Sequence, residues 1–302
     1  MEQIAVPLIS YKSIILCGMV DTLSFFIKYA KFRYRIHRVI LRLKIGKKKR
    51  DQYLKENEVK IVDFLPEIPY IVNGVRVVPR KFTNDFDLLA WPREEIIAQY
   101  FTFRDGETFV DVGANVGKYC LYIAKDNQDK SVNIIAIEAH PENYKALCKN
   151  IELNRNFKNR IKPINKAVSD HRGKVMMYEN LGSGHRARFE TFTIIENSGI
   201  SENKVAALEV ECDTLDNILA NVTQKVDVMK IDIEGAEVMA LKSATKTLRQ
   251  LRSIIVEVHD YHFEDIRKIL EGYNFNLQVI KENWGEKGEV HGYIIGQKVA
   301  EA

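Results

Sequence analysis

Three stretches of the chain end an apolar run in polar residues, which is where a buried strand can offer chemistry at a sheet edge. In Val110-Asp111-Val112-Gly113-Ala114-Asn115-Val116-Gly117 the run passes into glycines ahead of a helical stretch. Backbone amides there can approach a ligand closely at the strand's carboxyl end. The G-x-x-x-G spacing is not the G-x-G-x-x-G of dinucleotide sites, so a pyrophosphate cradle is poorly supported. Glu138 stands 25 residues after Gly113, at the end of the next apolar run. A carboxylate in that place can accept hydrogen bonds from both hydroxyls of a ribose. The pair favours an adenosine-type ligand without a diphosphate. Read alone, Gly113 and Gly117 are tight-turn glycines.

The second stretch, Asp227-Val228-Met229-Lys230-Ile231-Asp232-Ile233-Glu234-Gly235-Ala236-Glu237, carries five charged residues in eleven. Buried charges are costly unless paired or used. Two-residue spacing puts Lys230, Asp232 and Glu234 on one side of a strand. Gly235 should end that strand, leaving Asp232 and Glu234 at its exposed carboxyl edge. The alternative makes Glu234 and Glu237 acids at a helix start, where the dipole favours them. The third stretch, Ile255-Val256-Glu257-Val258-His259-Asp260-Tyr261-His262, closes another core strand. His259 there can serve as a general base near neutral pH, or it is a hydrogen-bonded structural histidine. His259, Asp260 and His262 offer metal-ligand types, but no H-E-x-x-H motif or cysteine cluster supports them, and no metal site is expected.

These residues need elements to hold them. From residue 105 the chain alternates strands and helices: Thr108–Val112, a helix to about Lys125, Asn133–Glu138, a helix over Pro141–Asn154, and a strand over Ile161–Val168. Strands over Val226–Ile233 and Ser253–Val258 follow, separated by one helix from about Ala236 to Leu251. Nearly continuous apolar strands between helices mean an α/β fold with a mostly parallel sheet covered on both faces. Phe275–Ile280 and Val290–Ile295, joined by Trp284-Gly285-Glu286-Lys287-Gly288, read as a terminal antiparallel hairpin. The expected organisation is a basic helical arm over 1–50, a preface over 51–104 and a main domain over 105–302. The preface holds a tight hairpin at Tyr70–Val78, turned by Asn73-Gly74, and a lead-in helix over Glu94–Phe103.

The chain has 302 residues and a formal net charge of +4, with 46% hydrophobic and 28% charged residues. That excludes disordered, collagenous and disulfide-stapled classes. The small net charge is unevenly placed. Residues 1–50 hold 12 Lys+Arg against Glu2 and Asp21, a sum of +10, so residues 51–302 carry −6. Cys17, Cys120, Cys148 and Cys212 are scattered without a C-x-x-C pair, as in a reducing compartment. The apolar runs Ile14–Val20 and Leu23–Ile27 are shorter than the roughly 18–20 residues of a membrane span, and the basic residues follow them. Neither a span nor a secretion signal is expected, and the expected location is the cytoplasm. In the arm, Phe25, Tyr29, Phe32, Ile36, Val39 and Leu43 recur at spacings of 4, 3, 4, 3 and 4, with Lys and Arg between them. Such a helix packs its stripe on its own domain, or lies on an anionic membrane surface at the inner face, or contacts nucleic acid.

The segments DVGANVGKYCLYIA, IEAHPENYKALCKNIELN, INKAVSD, CDTLD, VMKIDIEGAEVMAL and IIVEVH resemble the FkbM-type methyltransferases. The resemblance covers about residues 85–296 and does not reach residues 1–50. It implies a Rossmann-like class I methyltransferase fold with a seven-stranded sheet, and S-adenosyl-L-methionine as cofactor. It implies a hydroxyl acceptor on a small molecule or a glycan; a lipid-linked sugar and a polyketide would each fit. By the same resemblance Asp111, Gly113, Ala114, Asn115 and Gly117 would line the methionine part of the cofactor, Glu138 its ribose and the backbone of Ala167 and Val168 its adenine. Asp232 and Glu234 would border the transferred methyl, and Asn180–Asn203 would be an acceptor-binding insertion. The base would be Asp232, Glu234 or His259. The competing classes are a binding protein without catalysis, an NAD-dependent oxidoreductase and a nucleic-acid methyltransferase. No N-P-P-Y-type motif or catalytic cysteine arrangement supports the last, so nucleic acid is not the expected acceptor.

Overall fold

The computed structural model describes residues 20–56, 61–90, 95–180, 192–194, 204–258, 262–283 and 290–298. The basic N-terminal stretch forms helix α1 (Val20–Ile45), which breaks at Gly46 and continues as α2 (Lys47–Glu56), so helix runs through residue 50. A hairpin follows, β1 (Tyr70–Val72) and β2 (Val75–Val77), closed by Asn73-Gly74 as the sequence predicts. Two short helices, α3 (Asp85–Ala90) and α4 (Glu95–Ala98), lead to the main sheet. The expected helix over Glu94–Phe103 is therefore a single turn: Phe101 and Phe103 turn their rings onto Phe109 instead, at 5.7 and 5.8 Å between centroids.

The remaining elements are β3 (Thr108–Val112), α5 (Lys118–Asp126), β4 (Asn133–Ile137), α6 (Pro141–Leu153), β5 (Ile161–Ile164), β6 (Ala167–Val168), β7 (Gly173–Asn180), β8 (Phe192–Thr193), β9 (Lys204–Asp213), α7 (Leu215–Ala220), β10 (Val228–Ile231), α8 (Glu237–Lys242), α9 (Thr245–Gln250), β11 (Ser253–Val258), α10 (Phe263–Gly272), β12 (Asn276–Asn283) and β13 (Val290–Gln297). Seven strands pair in the order β12-β13-β11-β10-β3-β4-β5, parallel except for β13, which runs antiparallel to both neighbours. Period-two alternation divides each strand between two cores. Phe109, Ile134, Ala136, Val228 and Ile255 face α5 and the hairpin. Val110, Ile135, Met229, Ile254 and Val256 face Leu241, Leu248 and Leu270 of α8, α9 and α10. The hairpin shares the first core and is tied to α6 by the Val78 N–H to Asn150 Oδ1 at 3.0 Å.

The main domain departs from expectation at three further points. The strand over Ile161–Val168 is two pieces in two sheets, because β6 leaves the main sheet to pair with β9. The β6-β9-β7-β8 sheet was not foreseen, although Leu208-Glu209-Val210-Glu211-Cys212 alternates apolar and charged residues as a half-buried strand does. The single helix over Ala236–Leu251 is α8 and α9, broken at Ser243-Ala244. There Ser243 Oγ donates to the Ala240 carbonyl at 2.9 Å, and Asp216 accepts the amides of Lys246 and Thr247, both at 2.8 Å. A carboxylate from α7 thus starts a new helix.

Candidate active site

The chain runs outward from β3 in both directions, to β4 and β5 on one side and to β10 and β11 on the other. Such a switch point opens a crevice beyond the carboxyl ends of the strands. A cleft lies there, lined by Gly113, Asn115, Lys118 and Tyr119 after β3, by Glu138 after β4, and by Lys230, Asp232 and Glu234 at the end of β10. Glu257 of β11 and Ala167, Val168, Met177 and Ile194 of the smaller sheet complete its walls. Of the residues singled out from sequence, Gly113, Asn115, Glu138, Ala167, Val168, Asp232 and Glu234 line this cleft, while Asp111, Ala114 and Gly117 do not. His259 falls outside the described residues, as does most of Asn180–Asn203.

Local chain demands explain the glycines. A Cβ on Gly113 would sit 1.8 Å from the Asp232 carbonyl oxygen, and its φ is +85°. Gly117, at φ +95°, lets the Leu147 side chain come where a Cβ would stand 2.8 Å away. Both therefore close the chain against its neighbours, one of them against the other half of the site. Asp111 is buried within β3, and its carboxylate accepts from the Cys120 thiol at 3.1 Å. Burial pushes this carboxyl up, against the pull of nearby Lys230 and of the thiol.

Glu138 is buried beside an apolar slot of Ile137, Ala167, Val168 and Met177. Its Oε2 accepts the Asn115 N–H and its Oε1 the His140 N–H, both at 2.8 Å. With a further hydrogen bond from the Asn143 side chain, these bonds aim the carboxylate. Burial raises its pKa to about 7, against the pull of those two amides and of the Asn143 side chain. A buried carboxylate beside an apolar slot suits a ligand that joins hydroxyl donors to a flat apolar group.

The β10 side of the cleft is built around Lys230, whose side chain is 1% exposed. Its ammonium donates to Asp232 Oδ2 at 2.9 Å, lies 3.7 Å from Glu257 Oε2, and stands 4.7 Å from the Tyr119 ring centroid. Burial alone would favour the neutral amine, but Asp232, Glu257 and Asp111 outweigh it and hold Lys230 protonated. The five charges of the second stretch thus separate by role. Asp227 accepts the Thr108 amide at 2.9 Å at the start of β3. Glu237 folds back to accept the amides of Gly235 and Ile233 at 3.0 and 3.3 Å. That loop holds Glu234 in a left-handed turn at φ +53°, so β10 stops at Ile231 rather than running on to Gly235. Sequence reasoning placed Lys230 beside Asp232 but missed its link to Glu257, since only the β10–β11 register brings those strands together.

Strand order, the reversed terminal hairpin and a cleft at the switch point define a class I methyltransferase fold. The chain belongs to the FkbM methyltransferase family, whose domain profile matches residues 111–277, more than half of its length. It is 23% identical over 191 residues to the hexuronic acid methyltransferase AglP of Haloferax volcanii, covering 62% of this chain and 69% of that one. It is 25% identical over 199 residues to methyltransferase sdnD of Sordaria araneosa, covering 58% of this chain and 76% of the other. The crystal structure of the methyltransferase FkbM from Methylobacillus flagellatus superposes with a TM-score of 0.46 at 16% identity, covering 66% of this chain. The match takes in 46% of that crystallised chain, less than half of its length.

Proposed function

We propose that the protein transfers a methyl group from S-adenosyl-L-methionine to a hydroxyl of a sugar, a lipid-linked glycan or another small molecule. When bound, the cofactor supplies an electrophilic methyl on a positively charged sulfur. Glu138 would hold its ribose and the slot of Ile137, Ala167, Val168 and Met177 its adenine, with Gly113 and Asn115 along its methionine portion. The observation that carries the reading is that Asp232 and Glu234 share one cleft with Glu138 and follow the strand on the other side of β3 from it. A carboxylate there can take the proton of an acceptor hydroxyl as its oxygen becomes the nucleophile. Lys230 holds Asp232 in place through a charge-assisted hydrogen bond, and Glu257 and Tyr119 hold Lys230. Positioning two reactants in one cleft supplies much of the rate in such displacements.

A sugar acceptor draws support from the Haloferax volcanii relative, whose name assigns it a hexuronic acid. The test is transfer of labelled methyl from S-adenosyl-L-methionine to a panel of uronic acids, neutral glycans and lipid-linked sugars, followed by mass spectrometry of the product. Label recovered as an ether on a sugar oxygen supports the proposal. Label on nitrogen or carbon refutes the hydroxyl assignment, and label on nucleic acid refutes the sugar or small-molecule acceptor.

A further inference from the structure

Helix α1 uses one face to bind its own molecule and leaves the opposite face bare. Ala30 is fully buried, and the rings of Tyr34 and His37 pack on Phe64 with centroids 5.7 and 5.4 Å away. These residues and the half-buried Leu41 follow one another at helical spacing, so they form a single seam. The aromatic stripe is not in that seam. Phe32 is 61% exposed, Val39 55% and Leu43 80%, and Tyr29, Ile36 and Ile40 are exposed with them. Of the three coverings open to this stripe, its own domain is thereby ruled out for the described members: α1 is anchored by its other side.

The bare face has a definite shape. At about 100° per residue, the six apolar side chains occupy an arc about 100° wide and about 20 Å long. Lys28, Arg35 and Arg42 border the arc on one flank, and Arg33 and Lys44 border it on the other; all five are exposed. The exposed Lys47, Lys48 and Lys49 follow in α2, and residues 22–50 contain no acid. Among the described residues no helix is long and apolar enough to cross a membrane. We propose that this face of α1 seats on an anionic lipid bilayer, lying in the interface plane with its apolar arc below the headgroups and its two cationic flanks among them. Charge complementarity selects this occupant. A second copy of the same face would set cation against cation. A nucleic acid would meet the cations but would gain nothing from burying Phe32 and Leu43.

The experiment is co-sedimentation of the full chain with phosphatidylcholine vesicles, with and without phosphatidylglycerol. Binding is expected only to the anionic vesicles and should weaken as salt is raised. Phe32→Ser with Leu43→Ser should weaken it by about tenfold or more, since the apolar arc supplies part of the affinity. Arg35→Glu with Arg42→Glu should abolish it. Both pairs are exposed, so unchanged circular dichroism and melting are expected of the variants. Equal binding to neutral vesicles, undiminished binding by the Phe32/Leu43 pair, or no vesicle binding by the parent chain would each overturn the proposal. So would a dimer in sedimentation equilibrium, or a complex with duplex DNA, formed by a parent chain that ignores anionic vesicles.

Discussion

Glu138 and Lys230 are both buried charges in one cleft, yet their surroundings drive them in opposite ways. Glu138 has two backbone amide donors and the Asn143 side chain but no paired cation, and burial lifts its pKa to about 7. Its hydroxyl-accepting form is the carboxylate, so cofactor affinity should rise about tenfold per pH unit below about 7 and level off above it. The same shift acts on the free protein with the opposite sign. The folded state holds the proton more firmly than the unfolded one, so this stabilisation is lost as pH rises from the ordinary carboxylate range through about 7. Calorimetric titration across this range should show the slope for the parent chain. Glu138→Gln should bind about 10- to 100-fold more weakly at pH 8, without a slope. An equally tight variant would remove the ribose role. Lys230 is surrounded by three carboxylates and stays charged. Asp232→Asn should slow single-turnover methyl transfer by about 100-fold or more while changing cofactor affinity only a few-fold. An unchanged rate would pass the base to Glu234 or His259.

At the scale of elements, the site depends on two turns pressed together. The Gly113 turn after β3 approaches the Asp232 carbonyl so closely that no side chain fits between them. Gly113→Ala should destabilise the fold by at least about 3 kcal/mol, read by urea denaturation, because a clash adds to left-handed backbone strain. The turn after β10 is pinned by Glu237, which is fully buried and accepts two amides. Glu237→Ala should cost about 3 kcal/mol and displace Glu234 and Asp232, lowering the transfer rate as well as stability. Normal stability with normal turnover in that variant would show that the turn holds itself. Both turns were legible as glycine-marked strand ends, but the reason for them was not. Gly113 reads as a ligand glycine until β10 is seen beside β3.

At the scale of the molecule, the site is a consequence of strand order. Residues near 113, 138 and 232 meet because β10 and β4 flank β3. Ligand bound across that junction ties both halves of the sheet together, so it should stabilise the whole fold. At a hundredfold excess over Kd, S-adenosyl-L-methionine should add about 2.7 kcal/mol, visible as a raised melting temperature. NAD should not, and a larger shift with NAD would refute the adenosine reading. The smaller sheet adds Ala167, Val168, Met177 and Ile194 to one wall of the cleft. Its strands flank residues 181–191 and 195–203, the stretch expected to meet the acceptor.

Much of this was written locally in the chain. Apolar strand runs, alternation with helices, Asn73-Gly74 and Pro141 each specify an element through short-range sterics and burial, so a mostly parallel α/β sheet with a terminal hairpin could be read without coordinates. The carboxylates Glu138, Asp232 and Glu234 could be read as well, because charge at the end of an apolar run has few structural excuses. Folding decided what depends on contacts between distant segments. It placed Asp111 away from the cleft lining and enclosed Lys230 between Asp232 and Glu257. It also turned the exposed stripe of α1 away from the core, although periodicity shows only that a helix has an apolar face. Which surface covers that face, and which charges become neighbours, follow from strand register and helix docking, and neither is encoded at the spacing of a single turn.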